Sequence, residues 1–172
     1  MTIVDCDRSR AAEILVILND AIEHSTALYD YQPRPLSAMD PWFDTKERGA
    51  FPVIGAIDAA GQLLGFATYG QFRAWPAYKY SVEHSLYVAQ GHRGQGLGKA
   101  LLTAVLDRAR AQQYHNMIGG IDAENGVSIA LHERFGFERC GLVKHAGFKF
   151  GRWLDLAFYQ KLLDTPVEPR DG

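Results

Sequence analysis

The run Val88–Lys99, Val-Ala-Gln-Gly-His-Arg-Gly-Gln-Gly-Leu-Gly-Lys, alternates glycine at 94, 96 and 98 directly after Arg93. Gln95 and Leu97 fill the gaps, and Lys99 closes the run. A glycine-rich turn leaves backbone N–H groups uncovered, and a helix starting there adds its positive end. Arg93 contributes a fixed charge, and Lys99 either adds a second one near the phosphate or is a solvated helix lysine. Together they make a socket for a phosphate or pyrophosphate. The pattern is not the Gly-x-Gly-x-x-Gly of a dinucleotide fold, and no Gly-x-x-x-x-Gly-Lys-Ser/Thr occurs. The bland alternative is a strand-to-helix turn that binds nothing.

Two further groups could do chemistry. In Val82–Val88, alternation puts Val82, His84, Leu86 and Val88 on one face and Glu83, Ser85 and Tyr87 on the other. Glu83 reads either as an exposed glutamate in an ion pair or as a carboxylate that accepts a proton from, or anchors, an ammonium. Ahead of it lies Arg73-Ala-Trp75-Pro76-Ala77-Tyr78-Lys79. There an arginine could grip a carboxylate in bidentate fashion and aromatic rings could wall a pocket. The same residues could equally form a surface loop with an aromatic plug. His115 and His145 have no partner at metal-ligand spacing, so no metal is expected.

These residues need elements to hold them. Arg8–His24 has apolar residues at helical spacing, and Ser25–Pro35 breaks it. Ser37 or Asp40 could cap a second short helix reaching Arg48. Phe51–Ile57 and Leu63–Tyr69 read as a hairpin across Asp58–Gln62. Leu97–Gln112 is an amphipathic helix, and Asn116–Ile121 a short apolar strand. Asn125–Arg134 is a helix ended by Gly136. Cys140–Val143 and Trp153–Leu162 are further strands. The order predicts an α/β class with a mixed sheet in one domain, residues 1–164, followed by a polar, frayed tail, 165–172.

Composition sets outer bounds. The 172 residues are 47% hydrophobic and 22% charged, as in ordinary globular chains. A net charge of −2 suggests no nucleic-acid or membrane-surface partner. No apolar run reaches transmembrane length, and Met1–Asp7 lacks signal-peptide character. The two cysteines, Cys6 and Cys140, read as reduced thiols of a cytoplasmic protein.

Arg93-x-x-Gly96-x-Gly98 resembles the pyrophosphate loop of the GNAT acetyltransferase superfamily. Asn125-x-x-Ser128-x-x-Leu131-His132-Glu133-x-x-Gly136-Phe137 resembles its second coenzyme-A segment. A narrower resemblance, to the phosphinothricin acetyltransferase family, covers nearly the whole chain. It rests on Leu18-Asn19, Ile22–Thr26, Trp75–Tyr78, Glu83-x-Ser85-x-Tyr87-Val88 and Ala146–Gly151 with Trp153 and Asp155. One departure stands out: family members carry a histidine just before the last aspartate, where this chain has Leu154.

The resemblance implies a GNAT fold, a mostly antiparallel central sheet flanked by helices. It implies acetyl transfer from acetyl-CoA, with no metal, to the α-amine of a small amino-acid-like acceptor such as methionine sulfoximine, methionine sulfone or phosphinothricin. By position it assigns the backbone of Leu86, Tyr87 and Val88, the 93–99 loop and Asn125 to acetyl-CoA. It makes Glu83 the base or ammonium anchor, and Arg73, Trp75, Pro76, Ala77 and Tyr78 the acceptor site. His132 stands where many members have a tyrosine that protonates the leaving thiolate; a helix-surface histidine is the alternative. Neither cysteine lies in a motif, so transfer is direct. A homodimer is expected from the family. Two rivals stay open. One is a different acceptor, such as a polyamine, an aminoglycoside or a protein N-terminus. The other is an acyl-CoA sensor with no use for Glu83.

Overall fold

The computed structural model describes all residues, Met1–Gly172. In chain order the elements are β1 (Thr2–Asp5), α1 (Ala11–His24), α2 (Met39–Arg48), β2 (Val53–Ile57), β3 (Leu63–Gln71) and β4 (Ser81–Val88). There follow α3 (Leu97–Ala111), β5 (Asn116–Asp122), α4 (Gly126–Arg134), β6 (Glu138–Lys149) and β7 (Arg152–Leu162). The strands form a seven-stranded sheet in the order β1-β2-β3-β4-β5-β7-β6. The β4–β5 pair is parallel, whereas β1–β2, β2–β3, β5–β7 and β6–β7 are antiparallel. The expected mixed, mostly antiparallel α/β architecture is therefore present.

The chain divides into two compact units, Met1–Gly70 with Ser85–Asp107, and Gln71–His84 with Arg108–Gly172. In the first, α1 buries Ile14, Ile17 and Leu18 in a cluster with Met39 and Phe43 of α2 and Phe66 of β3. Ile14 and Leu18 belong to the stripe its sequence periodicity marks, and Ile17 is buried beside them. Helix α2 does not start on a side-chain cap at Ser37 or Asp40. A single 3-10 turn, Leu36–Ala38, leads into it, and Asp40 lies in its first turn. The β2–β3 connection is fixed by Asp58, whose Oδ1 accepts from the N–H groups of Ala60 and Gln62, both at 2.9 Å. Asx bonding of this kind reproduces a backbone turn.

In the second unit, β5 is the axis. It pairs parallel with Ser81–His84 of β4 on one side and antiparallel with β7 on the other. Strand β6 extends well beyond the expected Cys140–Val143, with a register shift between Val143 and Gly147. The C-terminal segment is tied rather than loose. The Thr165 hydroxyl donates to Tyr114 O, and the Arg170 N–H donates to the Tyr80 hydroxyl at 3.0 Å.

Candidate active site

Strand β4 carries Glu83, in the second unit, and Leu86, Tyr87 and Val88, in the first. Its parallel register with β5 covers Ser81–His84 and ends at the His84–Gly119 pair. Val82 and His84 are buried, and Glu83 is half-buried, as the alternation predicts. The partner strand makes room for both faces. A Cβ at Gly119 would lie 2.8 Å from His84 Cε1, and one at Gly120 would lie 3.1 Å from Glu83 Oε1. Gly119 thus provides space that a side chain would close, and at Gly120 the Glu83 carboxylate would have to give by a few tenths of an ångström.

Burial raises the Glu83 carboxyl above the ordinary glutamate value, and the positive charge of Arg73 partly offsets this. A carboxylate so placed is a better proton acceptor than a solvated one. Arg73 follows β3; its guanidinium donates to Phe72 O at 2.8 Å and stacks over the Phe72 ring at 4.1 Å. The Phe72 ring meets Tyr78 edge-on at 5.9 Å. Pro76, Ala77 and Tyr78 form a 3-10 turn, with Trp75 at its N-cap. Trp75 and Tyr78 are exposed. The second unit therefore brings Arg73, Tyr78 and Glu83 into one electrostatic and aromatic neighbourhood, with Trp75 presented to solvent.

In the first unit, the Tyr87 ring packs on Phe66 at a centroid distance of 5.5 Å. The main chain here approaches β3 closely, because a Cβ at Gly65 would sit 2.7 Å from Tyr87 O. The Ala89 N–H donates to Leu64 O at 2.9 Å, fixing the strand end that feeds the loop. Gly94 (φ +77°) and Gly96 (φ +82°) are left-handed, with nothing within 4 Å of the position a Cβ would take. Open, left-handed glycines at a helix start leave a cradle for an anion. Gly98 is already inside α3, which begins at the buried Leu97. Arg93 is anchored by Asp20 at 3.8 Å and by Val88 O at 3.5 Å. The Gln95 amide donates to Gly91 O at 3.3 Å, and Lys99 is exposed. The donor set fits a pyrophosphate.

Asn125 caps α4: its Oδ1 accepts from the Ser128 N–H at 3.1 Å. Asp122 shapes the turn before it, accepting from Glu124 N–H at 2.9 Å through Oδ1 and from Asn125 N–H at 2.9 Å through its backbone carbonyl. His132 lies on α4, but not on an exposed face; it is 4% accessible. Its Nδ1 contacts Ser128 O at 2.7 Å, and its Nε2 contacts His84 Nε2 at 2.8 Å. Both ring nitrogens are thus engaged. Burial lowers the pKa of both rings, and the neighbouring imidazole lowers that of His84 further, while the Nδ1 contacts with Ile118 O and Ser128 O act the other way. The sequence reading missed His84, Gly119, Gly120 and Asp122. Only the inward position of His84 in its strand hinted at any of them.

No group of three or more His, Cys, Asp or Glu side chains could hold a metal ion. No helix is long and apolar enough to cross a membrane.

Comparison with known proteins places these features in company. Residues 17–137 match the family model described as the acetyltransferase (GNAT) family. The chain is 48% identical over 151 residues to the L-methionine sulfoximine/L-methionine sulfone acetyltransferase of Pseudomonas aeruginosa, covering 88% of each. It is 36% identical to the protein of the same description from Salmonella typhimurium, covering 98% of each. Among solved structures it resembles a GNAT superfamily phosphinothricin acetyltransferase from Sinorhizobium meliloti in complex with AcCoA. The TM-score is 0.94 at 36% identity, covering 99% of this chain and 94% of that one.

Proposed function

The chain belongs to the GNAT acetyltransferase family, and from that premise we propose that it is an N-acetyltransferase. It moves the acetyl group of acetyl-CoA to the α-amine of a small amino-acid-like acceptor of the methionine sulfoximine, methionine sulfone or phosphinothricin type. The observation that carries this reading is a half-buried, pKa-raised carboxylate, Glu83, beside a cationic and aromatic loop, on the strand that runs into an anion-cradling turn.

Acetyl-CoA supplies the activated acetyl thioester when bound. The Gly94–Gly98 backbone, Arg93 and Lys99 hold its pyrophosphate, with Gln95 and Leu97 shaping the turn. The Asn125 cap spends Oδ1 on Ser128 and leaves Nδ2 as a donor for the pantetheine arm. A backbone N–H of the Leu86–Tyr87–Val88 segment polarises the thioester carbonyl. Glu83 takes a proton from the acceptor ammonium, directly or through one water, so that the amine can attack. Arg73 pairs with the acceptor carboxylate, and Trp75, Pro76, Ala77 and Tyr78 wall its side chain. Both His132 nitrogens are engaged, so it donates no proton here; coenzyme A leaves as the thiolate.

We place the enzyme in the cytoplasm as a homodimer. The dimer reading is supported by Val143, Phe148, Phe150 and Trp153, exposed apolar residues at and beside the edge strand β6. The test of the catalytic reading is Glu83→Gln, which keeps the shape and removes the base. We expect acetyl-CoA affinity within about twofold of wild type and a loss of turnover of at least about 100-fold. Full activity in this variant would remove Glu83 from its role and reopen the sensor reading.

A further inference from the structure

The buried contact between His84 and His132 cannot be satisfied by two neutral rings. His84 Nδ1 lies 2.9 Å from Ile118 O, and His132 Nδ1 lies 2.7 Å from Ser128 O. A carbonyl oxygen only accepts, so each Nδ1 must carry its hydrogen. In a neutral imidazole that leaves Nε2 as a bare acceptor. The two Nε2 atoms nevertheless face each other at 2.8 Å, within hydrogen-bond distance. Moving the His84 hydrogen to Nε2 sets a bare Nδ1 against Ile118 O, and moving that of His132 sets one against Ser128 O at 2.7 Å, with only the more distant Ser128 hydroxyl, at 3.4 Å, to donate in exchange. One additional proton between the two Nε2 atoms satisfies every contact, and the hydrogen bond it makes must offset the burial that by itself lowers the pKa of both rings.

The surroundings leave the pair to itself. His84 meets Ile118 O and Gly119 from β5, and His132 with Ser128 from α4. The Phe137 ring lies 5.5 Å from His84 and 5.1 Å from His132. Of these groups only the partner imidazole titrates, and Glu83 is next in the strand, on the other face. Gly119 is required for the arrangement, since its Cβ would strike His84.

We propose that His84 is a positioning residue for the transfer reaction, acting through a single proton shared between its Nε2 and that of His132. The pair is a buried monocation that clamps the strand of Glu83 to α4, the helix capped by Asn125. The positioning role rests on the acetyl-transfer reading above; the shared proton does not.

Two measurements separate these parts. Nitrogen-15 NMR of histidine-labelled wild-type protein at neutral pH is expected to show three ring N–H hydrogens for the pair. Two would be on Nδ1, and one far downfield would couple to the Nε2 atoms. Two ring hydrogens would overturn the shared proton whatever the enzyme acetylates. Stability against pH gives a second reading. Above the ordinary histidine value of 6.5 the unfolded rings hold no proton and the folded pair holds one. Stability of the wild type therefore falls as pH rises past 6.5, until the pair releases its proton. His132→Gln, whose amide donates to His84 Nε2 without charge, lacks that fall. A wild type with no such fall would contradict the proposal.

For positioning, His132→Leu leaves His84 Nε2 unpaired, and kcat is expected to drop on the order of tenfold. His132→Gln is expected to recover most of that loss. Equal defects in the two variants, with the downfield resonance present in wild type, would leave the proton and discard the positioning role. Failure of every amine to be acetylated would instead refute the function while the resonance stood.

Discussion

Replacing Gly65 by alanine tests how closely β3 must approach the end of β4. The added Cβ would stand 2.7 Å from Tyr87 O, 3.2 Å from Val88 Cα and 3.3 Å from Leu101 Cδ1. Real Cβ contacts below 3.0 Å are essentially absent, and 3.4 Å is where ordinary contact begins. The Tyr87 carbonyl must therefore retreat by about 0.7 Å, and it is backbone, without a rotamer to escape into. Its strand is also held by Ala89 N–H on Leu64 O, so the shift strains that bond. Overpacking of this kind costs about 1–3 kcal/mol. Tyr87 and Val88 feed the glycine turn, and a displacement approaching 1 Å near reacting groups can cost up to about 100-fold in rate. We expect Gly65→Ala to lower urea stability by about 1–3 kcal/mol and kcat/KM for acetyl-CoA on the order of tenfold. Gly141→Ala is the control, its nearest neighbour being 3.9 Å away. It should shift stability by less than about 1 kcal/mol. Gly65→Ala matching that control in both assays would refute the close approach.

Glu83 has a pKa raised by burial, so the acid limb of kcat/KM should lie above the ordinary glutamate range. Removing the Arg73 charge, as Arg73→Met, should move that limb further up, because Arg73 lowers the value; a downward move contradicts the arrangement. The same shift makes stability fall as pH rises between the unfolded and the folded Glu83 values, because there the folded state holds more protons. Lys46 supplies the opposite case. Burial lowers it from 10.5 to about 8 while its Nζ donates to Tyr69 O at 2.9 Å. Its burial cost is fully present below pH 8 and gone above 10.5. Stability should therefore rise across that window, by up to about 3 kcal/mol, and Lys46→Met should remove the rise in denaturation curves taken against pH.

What the sequence conveyed depended on whether the signal was local. Helices α1 and α3 were legible because their buried faces repeat with the helical period, as at Ile14, Leu18, Ala21 and Ile22. Asn125 and the 93–99 loop were legible because caps and glycine turns are written in adjacent residues. Strand β1 was missed, being four residues with almost no burial to pattern. Strand β6 was read short because most of its length is exposed, which removes the alternation that marks a half-buried strand. The Ser37 or Asp40 cap was an overreading, since a 3-10 turn can supply the same N-terminal continuity without a side chain. The histidine pair was out of reach. His84 and His132 come from different elements, and only the pairing of β4 with β5 and the packing of α4 bring them to 2.8 Å. Gly119 and Gly120 looked like filler in an apolar strand; their purpose appears only when the side chains of β4 are set against them.

The most direct test of the proposed function is acetyl-CoA-dependent thiol release by the purified protein across a small amine panel. The panel holds methionine sulfoximine, methionine sulfone, phosphinothricin, spermidine, an aminoglycoside and a peptide with a free N-terminus. Saturable turnover confined to the amino-acid analogues, and abolished by Glu83→Gln, is the predicted result. Tight binding of acetyl-CoA with no turnover on those analogues, or turnover confined to the polyamine, aminoglycoside or peptide, would contradict it.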